Sequence, residues 1–494
     1  MAYRHPLIRG PWTLALLLMA GCSFAPEPLA IAPAARLPDS YDTSPGRDGP
    51  ETVAWWTGFG DPVLNRVVDT AVAANLDIRE AVARVEEVRS QYRIARSALL
   101  PGVQASADFS RTDVPANAGQ FGAIFGEGEG DGDNPPDGVL DRPDRFAFET
   151  FGASLGFSYE LDVWGRIRGG RGAALADLAA TGWDLRAIEI GVVAETIGSY
   201  FEILELGRRT DILGEQLGLL EERLSLTQDR YDRGVVTSLE LYQIQQDLNA
   251  TRSQLPLLEA QLVDAKGRLA ILLGRFPAEI DALMREGGLP QVSTDPIPAG
   301  LPSTLLSARP DVMAAAVRLE AARLRVGERR AARFPTLSLT GSVGQQSSEL
   351  SDLVRADQWF TNFVTSITAP IFNGGRLAAD EEAARARYEQ EAARYARTLL
   401  TSFKEVETSL AAFDAQRQRH AILEEQAAAA EASAQNQLRR LELGIGDYVA
   451  YLDALRQSLN VENTRATAER DLALARLNVH RALGGSWIEL EEGA

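Results

Sequence analysis

The sequence contains an internal duplication, and corresponding residues of the two copies are 210 positions apart over much of its length. Gly165-Arg166 returns as Gly375-Arg376, and Leu273-Gly274 returns as Leu483-Gly484. Farther upstream the spacing is 234 residues, as between Pro101 and Pro335. The difference of 24 residues (234 − 210) falls between these blocks, which predicts a longer loop in the first copy. A period of this length indicates duplication of a whole structural unit rather than a solenoid of short repeats.

Each copy is predicted to begin with a helix that ends at a proline. From Asp61 to Leu100 the sequence has no glycine, and its only proline, Pro62, falls in the first turn behind a capping-type Asp61. Pro101 ends this helix, which is predicted to be continuous. The corresponding helix of the second copy ends at Pro335.

Stretches that alternate between apolar and small polar residues predict two strands in each copy, at 103–110, 151–161, 337–343 and 363–371. Alternation over about ten residues suits a strand with one face in lipid and the other in water. A soluble antiparallel sheet with one wet face has the same period. Aromatic residues towards the strand ends favour the membrane barrel, namely Phe109, Phe146, Phe148, Phe157, Tyr159, Trp359 and Phe360.

The strands of each copy are followed by a helical hairpin of unusual length. Residues 377–443 contain neither glycine nor proline, and one helix of this length would reach roughly 100 Å. The matching stretch, 172–233, lacks proline but contains several glycines, so it can be equally long and bent. After a break at Gly234 or Gly444 a second helix returns, and Pro256 interrupts the first of these returning helices.

Composition excludes several functional classes. The 50 basic and 69 acidic residues leave a net charge of −19 with no basic tract, which argues against nucleic-acid binding. The three histidines are His5, His420 and His480, and their placement does not suggest a zinc or acid–base site. The chain has no phosphate-binding loop, nucleophile elbow or catalytic triad. We therefore expect neither an enzyme nor a bound cofactor or metal.

The single cysteine, Cys22, follows a basic start and a short apolar run, 12–20, that together indicate a secretory signal peptide. Ala20-Gly21-Cys22 resembles a bacterial lipobox, in which Cys22 would become the acylated, palmitate-bearing first residue. The alternative is a plain signal peptide with an incidental cysteine, which would have no disulfide partner. Ser23 at the next position favours sorting to the outer membrane, and the Pro- and Ala-rich run 24–50 predicts an extended tether.

Several short motifs are spread along nearly the whole mature chain. In order they are Trp55-Trp56-x-x-Phe59-x-Asp61-Pro62-x-Leu64, Ala74-Asn75-Leu76-Asp77-Ile78, Gly300-Leu301-Pro302-Ser303, Arg309-Pro310-Asp311-Val312, Phe334-Pro335-x-Leu337-x-Leu339, Gly444 with Tyr448, Leu452-Asp453-Ala454 and Ala482-Leu483-Gly484-Gly485-Ser486-Trp487. Together and in this order they resemble the TolC-like outer-membrane factors of tripartite efflux systems, and specifically the lipoprotein branch of OprM/NodT type.

The resemblance implies a mixed α+β membrane protein with internal duplication. A trimeric outer-membrane β-barrel, with four strands per protomer, would be continued by a long periplasmic α-helical barrel. The resemblance implies a homotrimer, whose three copies would supply twelve strands. The strand count independently requires more than one copy, because four strands cannot close a barrel and an unpaired edge in lipid is very unfavourable.

The expected organisation assigns each segment to one part of this architecture. The segments are 1–21, signal peptide; 22–54, acylated tether; 55–100, first helical segment; 101–162, strands 1 and 2 with a long external loop; 163–274, first hairpin; 275–309, equatorial connector; 310–334, helical segment; 335–372, strands 3 and 4; 373–484, second hairpin; and 485–494, equatorial C-terminus.

The function implied is a passive exit duct for small molecules such as drugs, and hence a role in multidrug resistance. The expected partners are outer-membrane lipid, a periplasmic adaptor and an inner-membrane transporter of RND type. Two alternatives remain open. One is an exit duct for type I protein secretion or metal export, and the other is a structural periplasmic coiled-coil lipoprotein.

The resemblance also places functional residues at the hairpin ends. Acidic rings near the axis would close the periplasmic tip, through Asp447 and Asp453, with Tyr448 reaching to the first hairpin near Thr237, Ser238 and Glu240. Asp447 also suits a helix N-cap, and the two roles are compatible. The adaptor is expected to contact Gly234, Val235, Val236, Thr237, Ser238, Gly444, Ile445 and Gly446.

The loop 113–144 is rich in glycine and aspartate and is expected to lie outside the cell over the barrel mouth. It lacks the full ligand series of a calcium loop, so a flexible acidic lid is the favoured interpretation.

Overall fold

The computed structural model describes residues 24–27, 55–115, 145–284, 294–295, 297 and 309–485. The predicted signal peptide, Cys22 and the loop residues 116–144 lie outside the described residues, as do Gly300 to Ser303 and Trp487. The chain divides into two compact units. The first comprises 1–28, 90–175 and 321–388, and the second comprises 29–89, 176–320 and 389–494.

The described part of the chain contains long helices and one four-stranded sheet. The helices are α1 (Pro62–Ala74), α2 (Leu76–Ser97), α3 (Arg166–Asp232), α4 (Ser238–Arg252), α5 (Leu255–Leu272), α6 (Ile280–Met284), α7 (Pro310–Ala331), α8 (Arg376–Glu442) and α9 (Tyr448–Ala482). The strands are β1 (Gly102–Pro115), β2 (Arg145–Leu161), β3 (Thr336–Ser347) and β4 (Trp359–Thr368). Short 3-10 helices lie at Trp55–Phe59, Pro277–Glu279 and Leu350–Asp352. Within these residues no helix has both the length and the apolar character needed to cross a membrane.

The duplication seen in the sequence is reproduced in the bounds of the helices. Helices α3 and α8 are each 67 residues long and begin 210 residues apart, and α2 and α7 are each 22 residues long and begin 234 apart. The predicted break near Pro256 separates α4 from α5, whereas α9 runs without interruption for 35 residues. In each copy a 67-residue helix is therefore followed by a break and a returning helical segment.

The prediction of one continuous helix from Asp61 to Leu100 is wrong, because Asn75 divides it. The backbone of Asn75 is extended (φ −60°, ψ 135°), and its side-chain oxygen accepts hydrogen bonds from the amides of Asp77 and Ile78 at 2.9 and 3.1 Å. Its Nδ2 donates to the carbonyl of Leu272 at 3.0 Å. Asn75 thus caps the start of α2 and ties it to the end of α5, a tertiary contact that helix propensity does not predict.

The fourth strand lies earlier in the sequence than predicted and begins at Trp359 instead of Phe363. Strand β4 ends at Thr368, so Ala369 and Ile371, which were included in the predicted strand, lie beyond it. The neighbouring strand β3 begins at Thr336, which pairs with Thr368, and Pro335 precedes it. Pro335 and Pro370 have no amide hydrogen to donate to a neighbouring strand. The pairing of β3 with β4 therefore does not continue beyond Thr336 and Thr368.

The four strands form one antiparallel sheet in the order β1-β2-β3-β4. Their register places like faces together, as the alternation predicts. On the polar face, Ser106 and Ser154 are joined by a 3.0 Å hydrogen bond, and Ser338 and Ser366 by one of 2.6 Å. On the apolar face, aromatic rings meet across strands, with centroids 4.7 Å apart for Phe109 and Phe151 and 6.2 Å apart for Phe157 and Phe363.

The second unit contains the main apolar cores. Its largest core surrounds the motif residues near Trp56 and includes Leu64, Val67, Ile197, Tyr200, Phe201, Leu269 and Ile280, all at most 4% exposed. A second core joins α8 to the end of α9 through Val406, Leu410, Phe413, Leu472, Val479 and Leu483. A third, smaller cluster of Leu220, Ile244 and Leu248 holds the end of the first hairpin together.

Candidate functional site

The two hairpins end in turns of the same design, which we call the hairpin tips (residues 233–237 and 443–447). Gly234 and Gly444 have positive φ values of 71° and 70°, a left-handed conformation that glycine adopts without strain. The amide of Val235 donates to the carbonyl of Arg230 at 2.8 Å, and that of Ile445 donates to Arg440 at 3.0 Å. Both long helices thus end in a Schellman motif that satisfies their last carbonyls.

A capping side chain begins the returning helix at each tip. Thr237 accepts a hydrogen bond from the amide of Glu240 at 3.5 Å, and Asp447 accepts one from the amide of Val449 at 3.3 Å. The interpretation of Asp447 as an N-cap is confirmed. Its carboxylate also gains from the partial positive charge at the start of α9.

Both predicted gate carboxylates on the second hairpin contact arginines of the first. Asp453 forms an ion pair with Arg223 of α3, and its other neighbour is Arg456, 4.0 Å away on its own helix. Asp447 lies 3.7 Å from Arg230, two turns along α3 from Arg223. The aspartates therefore join the two hairpins within one protomer and are not isolated charges.

Tyr448 also reaches the first hairpin, but at a different place from the one expected. Its hydroxyl donates to the Glu222 carboxylate on α3, not to the tip residues Thr237, Ser238 or Glu240. The hydrogen bond to Glu222 raises the pKa of Tyr448 to about 12. The phenol therefore stays protonated at any physiological pH and remains a hydrogen-bond donor.

These contacts border a polar cleft of about 470 Å³ at the tip of the second unit. The cleft combines basic and acidic groups, and its lining includes Arg223, Arg230, Glu240, Asp247, Asp453 and Arg456. Arg456 lies 3.5 Å from Asp247 of α4, which extends the charge network to the returning helix of the first hairpin. In the described part of the chain, no three potential metal-ligating side chains converge.

The predicted adaptor residues lie at the hairpin tips and are mostly exposed. Val235 and Ile445 are the most prominent, with 70% and 68% of their surfaces accessible in the protomer. Val236 and Gly446 are half-buried, whereas Gly234, Thr237, Ser238 and Gly444 are exposed. The first tip therefore presents Val235, and the second presents Leu443 and Ile445, as exposed aliphatic side chains beside a glycine turn.

The two copies differ at the charged residues that connect the hairpins. The positions of Asp453 and Arg456 are occupied by Gln243 and Gln246 in the first copy, and the position of Arg223 by Ser433 in the second. The 210-residue comparison could have identified these exchanges from the sequence. The basic and acidic partners Arg223 and Glu222 were nevertheless missed, since nothing in one sequence tells which helix faces which.

Arg309 connects three helices at the other end of the second hairpin. Its guanidinium donates to both carboxylate oxygens of Asp311 at 3.0 and 2.7 Å and to Glu405 of α8 at 2.7 Å. A further bond of 2.9 Å reaches the carbonyl of Ala482, the last residue of α9. Because helix-terminal carbonyls have no partner within the helix, this contact caps α9. The Arg-Pro-Asp motif thus has a structural role that its sequence did not reveal.

The aromatic motif near Trp55 surrounds two buried polar groups. Asp61 caps α1 through the amides of Val63 and Leu64, at 2.8 and 3.3 Å, and accepts a hydrogen bond from the hydroxyl of Tyr200. Burial raises the pKa of Tyr200, and the hydrogen bond to the Asp61 carboxylate raises it further. The hydroxyl of Tyr200 therefore remains a donor. The geometry of the cap is therefore held by a tertiary contact as well as by the helix itself.

His480 lies on α9 and stacks on Trp55, with ring centroids 4.9 Å apart and an angle of 10° between the planes. Burial, helped by the neighbouring charge of Arg476, lowers the pKa of His480 to about 4. As pH falls below about 6.5, the unfolded chain therefore binds a proton before the folded chain does. Stability is lost between these two values and does not change further below about 4.

We expect acidification from pH 7.5 to pH 4.5 to cost the wild-type protein on the order of 1–3 kcal/mol more than it costs His480→Phe, which keeps the stack but cannot titrate. The temperature of unfolding at the two pH values, at one protein concentration, measures the difference. Equal losses in the two proteins would show that His480 does not titrate in this range.

Comparisons with known proteins agree with this architecture. The family model described as outer membrane efflux protein matches residues 67–275 and 301–485. Outer membrane protein OprJ of Pseudomonas aeruginosa is 32% identical over 494 residues, with 98% of this chain and 97% of that protein covered. The pyoverdine export outer membrane protein OpmQ of the same species is 31% identical over 488 residues and covers 97% of each chain.

A solved structure extends the comparison to three dimensions. The CmeC outer membrane channel of Campylobacter jejuni superimposes with a TM-score of 0.81 at 25% identity, over 95% of this chain and 96% of that one. The matches confirm the fold class predicted from the sequence, a trimeric outer-membrane β-barrel with four strands per protomer and a periplasmic α-helical barrel. The chain belongs to the outer membrane efflux protein family, and it is an outer-membrane exit duct of a tripartite efflux system.

Proposed function

We propose that this channel exports small organic molecules such as drugs, delivered by an RND-type inner-membrane transporter through a periplasmic adaptor. The observation that carries the proposal is the end-to-end similarity to OprJ and OpmQ, at 32% and 31% identity. The acidic balance of the chain, −19, is compatible with passage of cationic molecules. The channel itself supplies no energy, so the inner-membrane partner must do so.

The proposed gate is the set of contacts between the hairpin tips. Three copies of Asp447 and Asp453 near a common axis would repel each other unless their charges were compensated. Arg223 and Arg230 supply that compensation within each protomer. The carboxylates would then hold each second hairpin against the first, and separation of the pairs would open the tip.

The proposed adaptor contact consists of the residues that lead into and out of each turn. Val235 and Ile445 supply apolar area, and the exposed turns at Gly234 and Gly444 leave backbone accessible. Since these residues adjoin Arg230 and Asp447, adaptor binding would act directly on the gate contacts. Cys22 is proposed to carry the lipid anchor at the start of the mature chain.

We expect deletion of the gene to lower the minimal inhibitory concentrations of several unrelated drugs at least fourfold, and a plasmid copy to restore them. Drug accumulation in the same strains, measured with a fluorescent substrate, reports transport directly. Two further measurements separate the alternatives. Loss of one secreted protein with unchanged drug sensitivity would indicate protein secretion, and sensitivity to metal salts alone would indicate metal export.

A further inference from the structure

A short N-terminal segment, Phe24 to Glu27, is docked on the first unit instead of extending freely. Its ring, Phe24, stacks on Phe334 with centroids 4.8 Å apart and an interplanar angle of 15°. Trp164 continues the stack, 5.1 Å from Phe334 and 6.4 Å from Phe24. The first residues of the predicted tether are therefore packed against aromatic partners.

Helix α7 contributes the other side of this surface. The guanidinium carbon of Arg330 lies 5.5 Å from the centre of the Phe24 ring, within cation–π distance. Arg323 donates a 2.9 Å hydrogen bond to the carbonyl of Pro26. We call the surface formed by Trp164, Arg323, Gly327, Arg330 and Phe334 the aromatic seat.

Gly327 shows that the helix surface is shaped for this segment. A Cβ atom on Gly327 would lie 2.7 Å from the backbone nitrogen of Ala25 and 3.0 Å from its Cα. Both are backbone atoms, which cannot move aside as a flexible side-chain end can. Glycine in the middle of a helix is destabilising, so the close approach of the docked segment gives its presence a physical reason.

The aromatic seat lies where strands meet helices. Trp164 falls between the end of β2 at Leu161 and the start of α3, and its indole nitrogen donates to the carbonyl of Pro335 at 2.7 Å. Phe334 falls between α7 and the start of β3. In an outer-membrane barrel such junctions mark the edge of the bilayer, where tryptophan and other aromatic residues concentrate.

We propose that the aromatic seat fixes the point at which the lipid anchor enters the membrane. Cys22 precedes Phe24 by two residues, so its Cα lies within about 7 Å of that of Phe24. The acyl chains would thus be held beside the foot of the sheet, whatever the conformation of residues 28–54. The inference rests on the proposed acylation of Cys22 and adds a fixed position for it.

Spin labelling tests this position. Glu27, which is exposed, is changed to Cys and labelled in the full-length protein in outer-membrane vesicles. We expect an immobilised spectrum and a depth at the bilayer interface. Either Phe24→Ala or Gly327→Leu should shorten the rotational correlation time about tenfold, from that of a packed segment to that of a free terminus. Arg329→Leu, on the same helix but outside the seat, should leave the spectrum unchanged.

Several outcomes would overturn the inference. One is a mobile label in the parent protein, and another is a label that neither Phe24→Ala nor Gly327→Leu affects. A label as accessible to a water-soluble relaxant as one at Val235→Cys would place the segment away from the membrane. Heat-stable trimers confirm that each variant is folded. Mass spectrometry reports acylation of Cys22 separately, and drug sensitivity of the strains reports export separately.

Discussion

Arg309→Ala should lower the free energy of unfolding by about 2–4 kcal/mol, the range expected when one partner of a buried ion pair is removed. Arg309 is only 7% exposed and binds Asp311, Glu405 and the terminal carbonyl of α9. Without it the carbonyl of Ala482 loses its partner. Because Asp311 and Glu405 are partly exposed, water can recover part of the loss, which keeps the value below that of a fully enclosed pair.

The free energy of unfolding of Arg309→Lys should lie between those of the wild type and Arg309→Ala. An ammonium keeps the charge but cannot form the planar, two-bonded contact that the guanidinium makes with Asp311. The matched control is Arg84→Ala, which breaks an exposed pair with Glu80 and should change stability by less than about 0.5 kcal/mol. Unfolding of the trimer depends on protein concentration, so midpoints are compared at one concentration. A midpoint for Arg309→Ala equal to that of the Arg84 control would contradict a connecting role for Arg309.

Much of the architecture could be predicted because long-range periodicity is a strong signal. The run 377–443 lacks glycine and proline and is rich in Ala, Glu, Arg and Leu, which favours one long helix, and the 210-residue spacing transfers that result to the first copy. The strands followed from their alternation, which survives in the register of the sheet. The family comparisons decide between the open alternatives, in favour of a membrane channel over a structural lipoprotein.

The errors arose where a tertiary contact overrides a local preference. Asn75 divides a stretch that helix propensity would join, because its side chain is held by the carbonyl of Leu272. Strand β4 ends at Thr368, because the first paired residue of β3 is Thr336. Neither partner adjoins the affected residue in the chain, so a local pattern does not contain the information.

Only the acidic residues of the proposed gate were predicted from the sequence. The acidic residues Asp447 and Asp453 came from the resemblance, but their basic partners did not. Arg223 and Arg230 lie two helical turns apart on α3, a spacing that places them on one face. Their meeting with α9 depends on how two hairpins pack, and one sequence does not specify that packing. Positions at which the two copies differ in charge, such as Arg223 with Ser433 and Asp453 with Gln243, indicate these contacts in a duplicated sequence.

Asp453→Arg should raise the conductance of the isolated channel several-fold. The substitution places a positive charge opposite Arg223 and leaves both without a partner. One surface ion pair contributes only about 0–1 kcal/mol. Three protomers repeat the pair of Asp453 with Arg223, so its loss would cost the closed state up to about 3 kcal/mol. That is at most roughly a 10²-fold change in a two-state equilibrium.

The combined substitution Asp447→Ala with Asp453→Ala should act in the same direction, because it removes both carboxylates without adding repulsion. The control is Glu462→Arg. This substitution disrupts the 3.2 Å ion pair of Glu462 with Arg208, which also joins α9 to α3. Glu462 lies nine residues farther from the tip than Asp453 does. Its conductance should match that of the wild type if closure resides at the tip.

Single-channel recording of the charge-exchanged protein, Arg223→Asp with Asp453→Arg, tests the gate most directly. The exchange keeps both charges and reverses only their places, so the pair can form again. We predict that the exchanged protein returns to the low conductance of the wild type while each single substitution stays high. An exchanged protein as conductive as the single variants, or single variants no more conductive than the wild type, would contradict closure by these ion pairs.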